Sequence, residues 1–426
     1  MLLMSLEEYR RDLEMCCRCS LCKFIPLEKL TDARYANACP SIARYNFNAY
    51  SGGGRLNVGL ALLDGRVQPS LQVAEIAYRC LMCGACDASC KYAMDMEVLE
   101  PLRELRAACV EAGQTSVPVD RLVGQMRTHS VMYGAADAGR LSAEELGVKD
   151  CTRDTAQVLL HLGCQIASDE ALRPAAVSIA ALLVRAGVDV GVLGEAEVCC
   201  GGRALEFGYE DDFRAQAERC MAAIEKSGAR LLVTSCAHCF YAFTVQYRQA
   251  GLKPPVEVMH SSQFLWQLVE TGRLEPAPGA TSRPMKVTYH DPCHIGRLGE
   301  PFTEWSGTAV PGHRRLFEPA KPWRRGTNGG YDAPRSLLAS VPGLELVEMN
   351  RVKEYAWCCG AGGGVPESDQ DFAAWTAQQR LAEAEETGAQ VLVTACPGCR
   401  SNLARAAGAA GSSMRVVDVA ELLAGD

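Results

Sequence analysis

The sequence has no surplus of positive charge. Forty-three Lys and Arg stand against 51 Asp and Glu, for a net charge of −8. A phosphate backbone would meet no basic field here, so nucleic acid is not an expected partner. No apolar run approaches the ~18–20 residues that a membrane-spanning helix needs, and no direct span is expected. Met1–Leu6 lacks a basic stretch leading into an apolar core, the pattern of an export signal. The expectation is a cytoplasmic protein, membrane-associated at most through a partner. No Walker loop and no Gly-x-Gly-x-x-Gly follows a strand, so no nucleotide or flavin is expected in this chain. No serine–histidine hydrolase signature is present.

What is abundant is cysteine. The 426 residues include 22. The length allows two or three domains with real cores, and a composition of 48% hydrophobic and 22% charged residues is that of an ordinary soluble protein. In an exported chain so many cysteines would suggest disulfides. Clustered Cys-x-x-Cys spacings without an export signal point instead to metal thiolates.

Two stretches share one plan. The first is Cys164, then Cys199-Cys200-Gly201-Gly202, then Cys236 and Cys239. The second is Cys293, then Cys358-Cys359-Gly360, then Cys396 and Cys399. Cys200 precedes Cys236 by 36 positions and Cys359 precedes Cys396 by 37. Around them run matching segments, Leu-Leu-Val-Thr-Ser-Cys236 and Val-Leu-Val-Thr-Ala-Cys396, an internal repeat. Short apolar runs at Val158–Gly163, Val188–Leu193, Arg230–Ser235 and Val256–Met259 read as strands, with helices at Ala171–Ala186, Glu210–Ser227 and Ser261–Glu270. The second half repeats the alternation with strands at Lys286–Tyr289, Leu344–Met349 and Gln390–Thr394, a helix over Asp371–Glu386, and a closing strand and helix at Val416–Val417 and Val419–Leu423. Such alternation predicts an α/β class with a mostly parallel sheet in each half. The first and last cysteines of each set fall at strand ends, where open α/β sheets gather their ligands.

The N-terminal part reads differently. Ser5–Glu8 has capping-box spacing and leads into a short helix with Leu6, Tyr9 and Leu13 on one side. It delivers Cys16, Cys19 and Cys22, then Cys39-Pro40, and later Cys80, Cys83, Cys86 and Cys90. This is the two-cluster bacterial ferredoxin pattern, in which the fourth cysteine of each motif serves the other cluster. The expected sets are Cys16, Cys19, Cys22 with Cys90, and Cys80, Cys83, Cys86 with Cys39. Sixteen residues separate Cys22 from Cys39, and Lys91 replaces the usual proline after Cys90. Cys17 breaks the spacing and reads as structural, as do Cys109 and Cys151. A zinc ribbon would want two pairs of ligands, which two triplets plus singles do not offer. The glycines of Tyr45–Arg55 read as a flexible turn or as a loop against a cluster or partner. Glu97–Ala112 reads as a helix. The expected division is 1–113 for the two-cluster region, 114–156 for a connector, 157–275 for the first Cys-Cys-Gly domain and 284–426 for the second. The surplus near 303–332 carries Arg314, Arg315, Lys321, Arg324 and Arg325. It reads as a surface insertion, either solvated or docking an acidic partner or phosphate. His238, His290 and His294 lie beside cluster cysteines and are the candidate catalytic proton donors, with a structural role as the plain alternative. His129, His161, His260 and His313 have no such placement.

A two-cluster region followed by two Cys-Cys-Gly domains resembles the catalytic-subunit family of heterodisulfide reductases, over nearly the whole chain from Cys16 to Leu423. It is also similar to iron–sulfur subunits of sulfite-reduction membrane complexes and class II benzoyl-CoA reductase complexes. More distantly it is similar to those of glycolate oxidase and anaerobic glycerol-3-phosphate dehydrogenase. The resemblance implies two cubane [4Fe–4S] clusters and up to two noncubane ones, with a disulfide split between the latter. Zinc in one Cys-Cys-Gly domain is an alternative. A flavin- or iron–sulfur-containing donor subunit, or a membrane-anchored partner, would supply electrons. The rival expectation is a pure relay subunit of a larger complex, with no substrate of its own.

Overall fold

The computed structural model describes residues 3–134, 140–277, 284–313 and 315–425. The N-terminal third is helical, with helices at Arg10–Met15, Pro40–Tyr45, Gly52–Leu63, Leu71–Tyr78, Ala85–Met94, Leu99–Glu111 and Val117–His129. The glycines read from sequence as a turn or loop are the first turn of the Gly52–Leu63 helix. Ser51 caps it by accepting from the Gly54 amide at 3.0 Å. Glycine is required by proximity: a Cβ on Gly53 would lie 3.0 Å from the Cys16 sulfur, and one on Gly52 would lie 3.1 Å from Cys86 Cβ. Lys91 is also accounted for. It sits inside the Ala85–Met94 helix, where proline would break the helix, and its buried ammonium reaches Asp87 at 2.7 Å and Glu97 at 2.6 Å.

The remainder builds two parallel sheets. In chain order the strands are β1 (Lys149–Asp150), β2 (Val158–His161), β3 (Val190–Val192), β4 (Leu231–Thr234), β5 (Glu257–His260), β6 (Met285–Tyr289), β7 (Thr308–Ala309), β8 (Phe317–Glu318), β9 (Leu344–Leu346), β10 (Val391–Thr394) and β11 (Arg415–Asp418). One sheet has the order β1-β3-β2-β4-β5 and the other β11-β10-β6-β9. Taken from its other edge, the second is β9-β6-β10-β11, the order of β3-β2-β4-β5. The repeat in the sequence is therefore a repeat of topology. The central strands are continuous aliphatic runs because both faces are covered by helices. His161 pairs in register with Thr234, and Tyr289 with Val393, so each set's first and last cysteines leave neighbouring strand ends.

The two halves pack against each other helix on helix. The Arg173–Arg185 helix packs on Val419–Ala424, and the Ser261–Glu270 helix packs on Asp332–Ser340. A single apolar core runs through both, including Ile179, Leu183, Leu265, Leu337, Leu422 and Leu423.

Two features go beyond what the sequence suggested. The stretch expected as a connector supplies β1, an edge strand paired with β3 through Lys149↔Gly191. Two polar residues at a sheet edge carry no hydrophobic period. In the basic insertion, several cations already have partners in the fold. Lys321 pairs with Glu97 at 2.9 Å and Arg325 pairs with Asp95. Arg324 donates to the Glu300 carbonyl at 3.0 Å, Arg315 reaches the Met94 sulfur at 3.2 Å, and Arg11 lies 4.3 Å over the Phe317 ring. Its cations neutralise acids at the end of the Cys90 helix. Arg314 lies outside the described residues.

Candidate metal centres

Cys16, Cys19, Cys22 and Cys90 line one cavity, with Gly53, Ser51 and Met94. Cys39, Cys80, Cys83 and Cys86 line a second, with Arg55. Cys90 thus lies away from its sequence neighbours Cys80 and Cys83. Four residues of helix advance about 6 Å, so the Ala85–Met94 helix carries Cys86 to one group and Cys90 to the other. The Gly53 amide donates to the Cys22 sulfur at 3.3 Å. Cys17, read as structural, is exposed at the rim of the first cavity.

Ten further cysteines form two matching groups. In each, the amide of the glycine after the cysteine pair donates to the first sulfur of that pair: Gly201 to Cys199 at 3.5 Å, Gly360 to Cys358 at 3.4 Å. Cys164 and Cys199 sulfurs lie 3.8 Å apart. Buried side chains hold these loops from behind. Gln216 donates to the Cys199 carbonyl at 3.1 Å, Tyr247 to that of Cys200 at 2.8 Å, and Asn402 to that of Cys359 at 2.7 Å. The Glu197 carboxylate accepts from the Leu162 and Gly163 amides at 2.9 and 2.8 Å, shaping the turn into Cys164. Cys236 and Cys396 each precede a helix, Ala237–Tyr241 and Pro397–Ala410.

The groups follow one another: the Ala85–Met94 helix joins the first to the second, Cys83 lies beside Cys358, and Cys236 lies beside Cys396. The order is the Cys16 group, the Cys39 group, the Cys293 group, then the Cys164 group.

Buried arginines run beside this row. Arg106, fully buried in the Leu99–Glu111 helix, donates to carbonyls of Ala77 (3.1 Å), Cys80 (2.7 Å), Glu206 (2.9 Å) and Gly363 (2.9 Å), tying the N-terminal helices to both repeats. Arg297 donates to the Glu354 and Ala356 carbonyls at 2.6 and 2.5 Å. Its charge faces Cys83 and Cys293, which raise its pKa against the opposing effect of burial. Arg55 is bonded to carbonyls and to the Ser41 hydroxyl, beside Cys39. These guanidiniums are not bonded to carboxylates, and a buried charge without a counter-charge is costly. Thiolate-ligated iron–sulfur clusters are net anions, so the donor set and its charge environment fit such groups.

The closeness of the halves makes one position sensitive. Gly363 has φ +62°, and a Cβ there would lie 2.2 Å from the Cys80 carbonyl oxygen. Gly363→Ala is expected to cost about 1–3 kcal/mol, read as a lower thermal unfolding midpoint of anaerobic holoprotein. An unchanged midpoint would mean that this contact does not lock the parts together.

The three candidate histidines are buried beside sulfur. Arg380 Nε donates to His290 Nδ1 at 3.1 Å. Arginine has no acceptor, so the His290 proton is on Nε2. A His290 nitrogen and the Cys359 and Cys399 sulfurs lie within 4.8 Å of one another. His294 Nδ1 lies 3.4 Å from the Cys293 sulfur, and its Nε2 lies 2.7 Å from Glu206 Oε1. His238 Nε2 lies 3.4 Å from the same oxygen, and the two rings stack with centroids 4.3 Å apart. Burial pushes Glu206 up, but the imidazoles outweigh it and hold the carboxylate at about 2. Burial opposes a charged His294, yet Cys293 and Glu206 raise it well above the ordinary value. Burial holds His238 at about 3, so the two stacked rings are pushed in opposite directions.

The comparisons with known families divide the chain in the same way. Residues 12–94 match the 4Fe-4S dicluster domain, and residues 158–244 and 323–404 match the cysteine-rich domain. A dihydromethanophenazine:CoB–CoM heterodisulfide reductase subunit of Methanosarcina barkeri is 31% identical over 357 residues, covering 81% of this chain and 76% of that protein. The chain belongs to this heterodisulfide reductase subunit family. It is an iron–sulfur oxidoreductase subunit. An EtfAB:quinone oxidoreductase of Syntrophomonas wolfei is 28% identical over 370 residues, 82% of this chain and 46% of that protein. A probable membrane-anchored ferredoxin of Chromohalobacter salexigens is 30% identical over 378 residues, 86% of this chain and 49% of that protein. In this member of the heterodisulfide reductase family, no helix among the described residues is long and apolar enough to cross a membrane.

Sequence reasoning missed Glu206, Glu197 and the buried arginines. Glu206 had one signal, an acid inside the short Gly202–Phe207 helix that starts directly after a cysteine pair. Arg106 had none, since its partners are main-chain oxygens far away in sequence.

Proposed function

We propose that the chain reduces a disulfide with electrons taken from a partner protein. Cys16, Cys19, Cys22 and Cys90 would hold one cubane, and Cys39, Cys80, Cys83 and Cys86 a second. Cys164, Cys199, Cys200, Cys236 and Cys239, and Cys293, Cys358, Cys359, Cys396 and Cys399, would each hold a further cluster, noncubane in form; zinc in one of them is the alternative. When bound, these groups supply one-electron carriers along the row. The observation that carries the reading is the row itself: the Ala85–Met94 helix joins the first group, whose Cys19 is exposed, to the second, and the neighbouring Cys83–Cys358 and Cys236–Cys396 pairs lead from the second group to the other two.

The balanced reaction is R–S–S–R′ + 2 e⁻ + 2 H⁺ → R–SH + R′–SH. The sulfur–sulfur bond breaks, each sulfur gains one electron and one proton, and both electrons come from the partner. The chain's own residues supply the proton chemistry. Glu206 accepts from His294 Nε2 and leaves the Nδ1 proton facing the Cys293 side. Arg380 fixes the His290 proton on Nε2, on a ring that lies beside Cys359 and Cys399. The buried surroundings exclude water, so these protons are placed and not drawn from bulk solvent.

The partner would be a flavin- or iron–sulfur-containing donor subunit, or a membrane-anchored one, in the cytoplasm. A relay role without a substrate is the second reading, favoured by the burial of the paired groups and by the likeness to a quinone oxidoreductase. Anaerobic purification decides between them. The disulfide reading expects about sixteen irons per chain, four per cluster, and reduction of a thiol–thiol heterodisulfide by the isolated protein with reduced viologen. Full iron with no such turnover leaves the relay role; nearly iron-free protein overturns both.

A further inference from the structure

The first repeat carries a cavity at the end of its sheet away from the cysteines. It has a volume of about 640 Å³ and lies where β4 and β5 begin. Arg230, just before β4, lines it together with Arg248 and Lys253. All three are exposed, and among the described residues none of their side chains has an ion-pair or hydrogen-bond partner. Glu257 is the one carboxylate in the lining. Much of the remaining wall is apolar, with the buried Phe243 and Pro254 and the half-buried Val258. The hollow is of the size that small ligands fill. Three unneutralised cations around it, in a chain of net charge −8, suit an anion.

The second repeat serves as an internal control. β4 and β5 pair through Leu231↔Glu257, and β10 and β11 through Val391↔Arg415. Gln390 therefore stands where Arg230 does, and Arg415 where Glu257 does. The approach to β11 is Ser412-Ser413-Met414, while that to β5 holds Lys253. The helix after the last cysteines differs as well. In the second repeat it is one α-helix, Pro397–Ala410; in the first it widens into a π-helical stretch at Ala242–Gln246. Phe243 and Thr244 of that stretch line the cavity. Such widened turns are frequent at functional sites. Both differences, of charge and of helix winding, fall on the wall of the same cavity.

The same stretch supports a cysteine group. The Phe243 ring packs edge-on against Tyr247 and His161, with centroids 5.4 and 5.3 Å apart. Tyr247 holds the Cys200 carbonyl, and Gln246 Nε2 donates to the Gly202 carbonyl at 3.2 Å. One wall of the cavity is thus the back of the support for the Cys199–Gly202 loop.

We propose that this cavity binds a small organic polyanion, and that its occupation is felt at the Cys164 group through Phe243 and Tyr247. Guanidiniums grip phosphate and carboxylate oxygens alike, and the apolar wall takes the carbon skeleton. The binding stands by itself. The coupling rests on the cluster proposed for the Cys164 group.

The test is isothermal titration calorimetry on anaerobic holoprotein, with fructose 1,6-bisphosphate and tricarballylate as phosphate and carboxylate probes. At least one is expected to bind with a Kd below about 1 mM, and the tighter one names the oxyanion. Arg230→Gln, the residue type of the second repeat, and Arg248→Ala are each expected to weaken binding about tenfold, the worth of one charge-assisted hydrogen bond. Iron content and melting temperature should be retained. Lys226→Gln removes an exposed cation outside the cavity and should bind as the wild type does. In dithionite-reduced protein the bound probe should shift the electron paramagnetic resonance signal that Cys164→Ser removes. Arg230→Gln should need about tenfold more probe for the same shift. No binding of either probe, or equal weakening by all three variants, overturns the site. Binding that leaves the signal unmoved overturns the coupling. Absence of that signal from probe-free wild type overturns the proposed cluster and with it the coupling, while the calorimetry still decides the site.

Discussion

Cys90→Ser is expected to remove the signal of the first cysteine group and leave that of the second. The expectation follows from placement. Cys90 faces the cavity of Cys16, Cys19 and Cys22, while Cys39 completes the cavity of Cys80, Cys83 and Cys86. Iron should fall by about four atoms per chain. The electron paramagnetic resonance spectrum of the reduced variant should match that of Cys19→Ser and differ from that of Cys83→Ser. Reduction by a protein donor should be lost with it, because the remaining groups are buried. If Cys90→Ser instead resembled Cys83→Ser, each motif would be serving its own cluster, and the crossed pairing would be wrong.

The crossed grouping of the cysteines around two cavities was legible in the sequence from the two-cluster ferredoxin spacing. Three cysteines at i, i+3 and i+6 cannot surround a cube, and a fourth ligand must come from elsewhere. The duplicated α/β halves were legible for a similar reason. Aliphatic runs at Val158, Leu231, Lys286 and Val391 each end just before a cysteine, and both sheets carry the strand order that this repetition implies. What escaped was everything that depends on distance in the chain. Arg106 binds the Gly363 carbonyl 257 positions away. The Gly52–Gly54 triplet looked like a turn because glycine weakens helices, whereas close packing against Cys16, Cys22 and Cys86 demanded it. The cations of the 303–332 insertion looked free because Asp95 and Glu97 sit more than two hundred residues earlier. Local composition cannot report a counter-ion supplied by another part of the fold.

Glu206→Gln should lower disulfide turnover by about 10²–10³-fold, the size of a lost general acid–base contribution, with full iron content. Glutamine keeps the size of the side chain but cannot hold the negative charge that raises His294. The amide oxygen can still accept from His294 Nε2, but the counter-charge is gone, so the ring keeps one proton, held on Nε2, and gives up the Nδ1 proton facing Cys293. His238, stacked on it and already driven to the neutral form by burial, cannot take over the charge. One-electron reduction of the protein by viologen involves no placed proton and should proceed at nearly the wild-type rate. The split between the two assays is what separates proton placement from packing: a packing role would lower the melting temperature or the iron count and would slow both reactions together. If turnover and reduction both stay at wild-type levels, the Glu206–His238–His294 cluster is a structural element of the interface between the two repeats. The proton for Cys293 must then come from elsewhere.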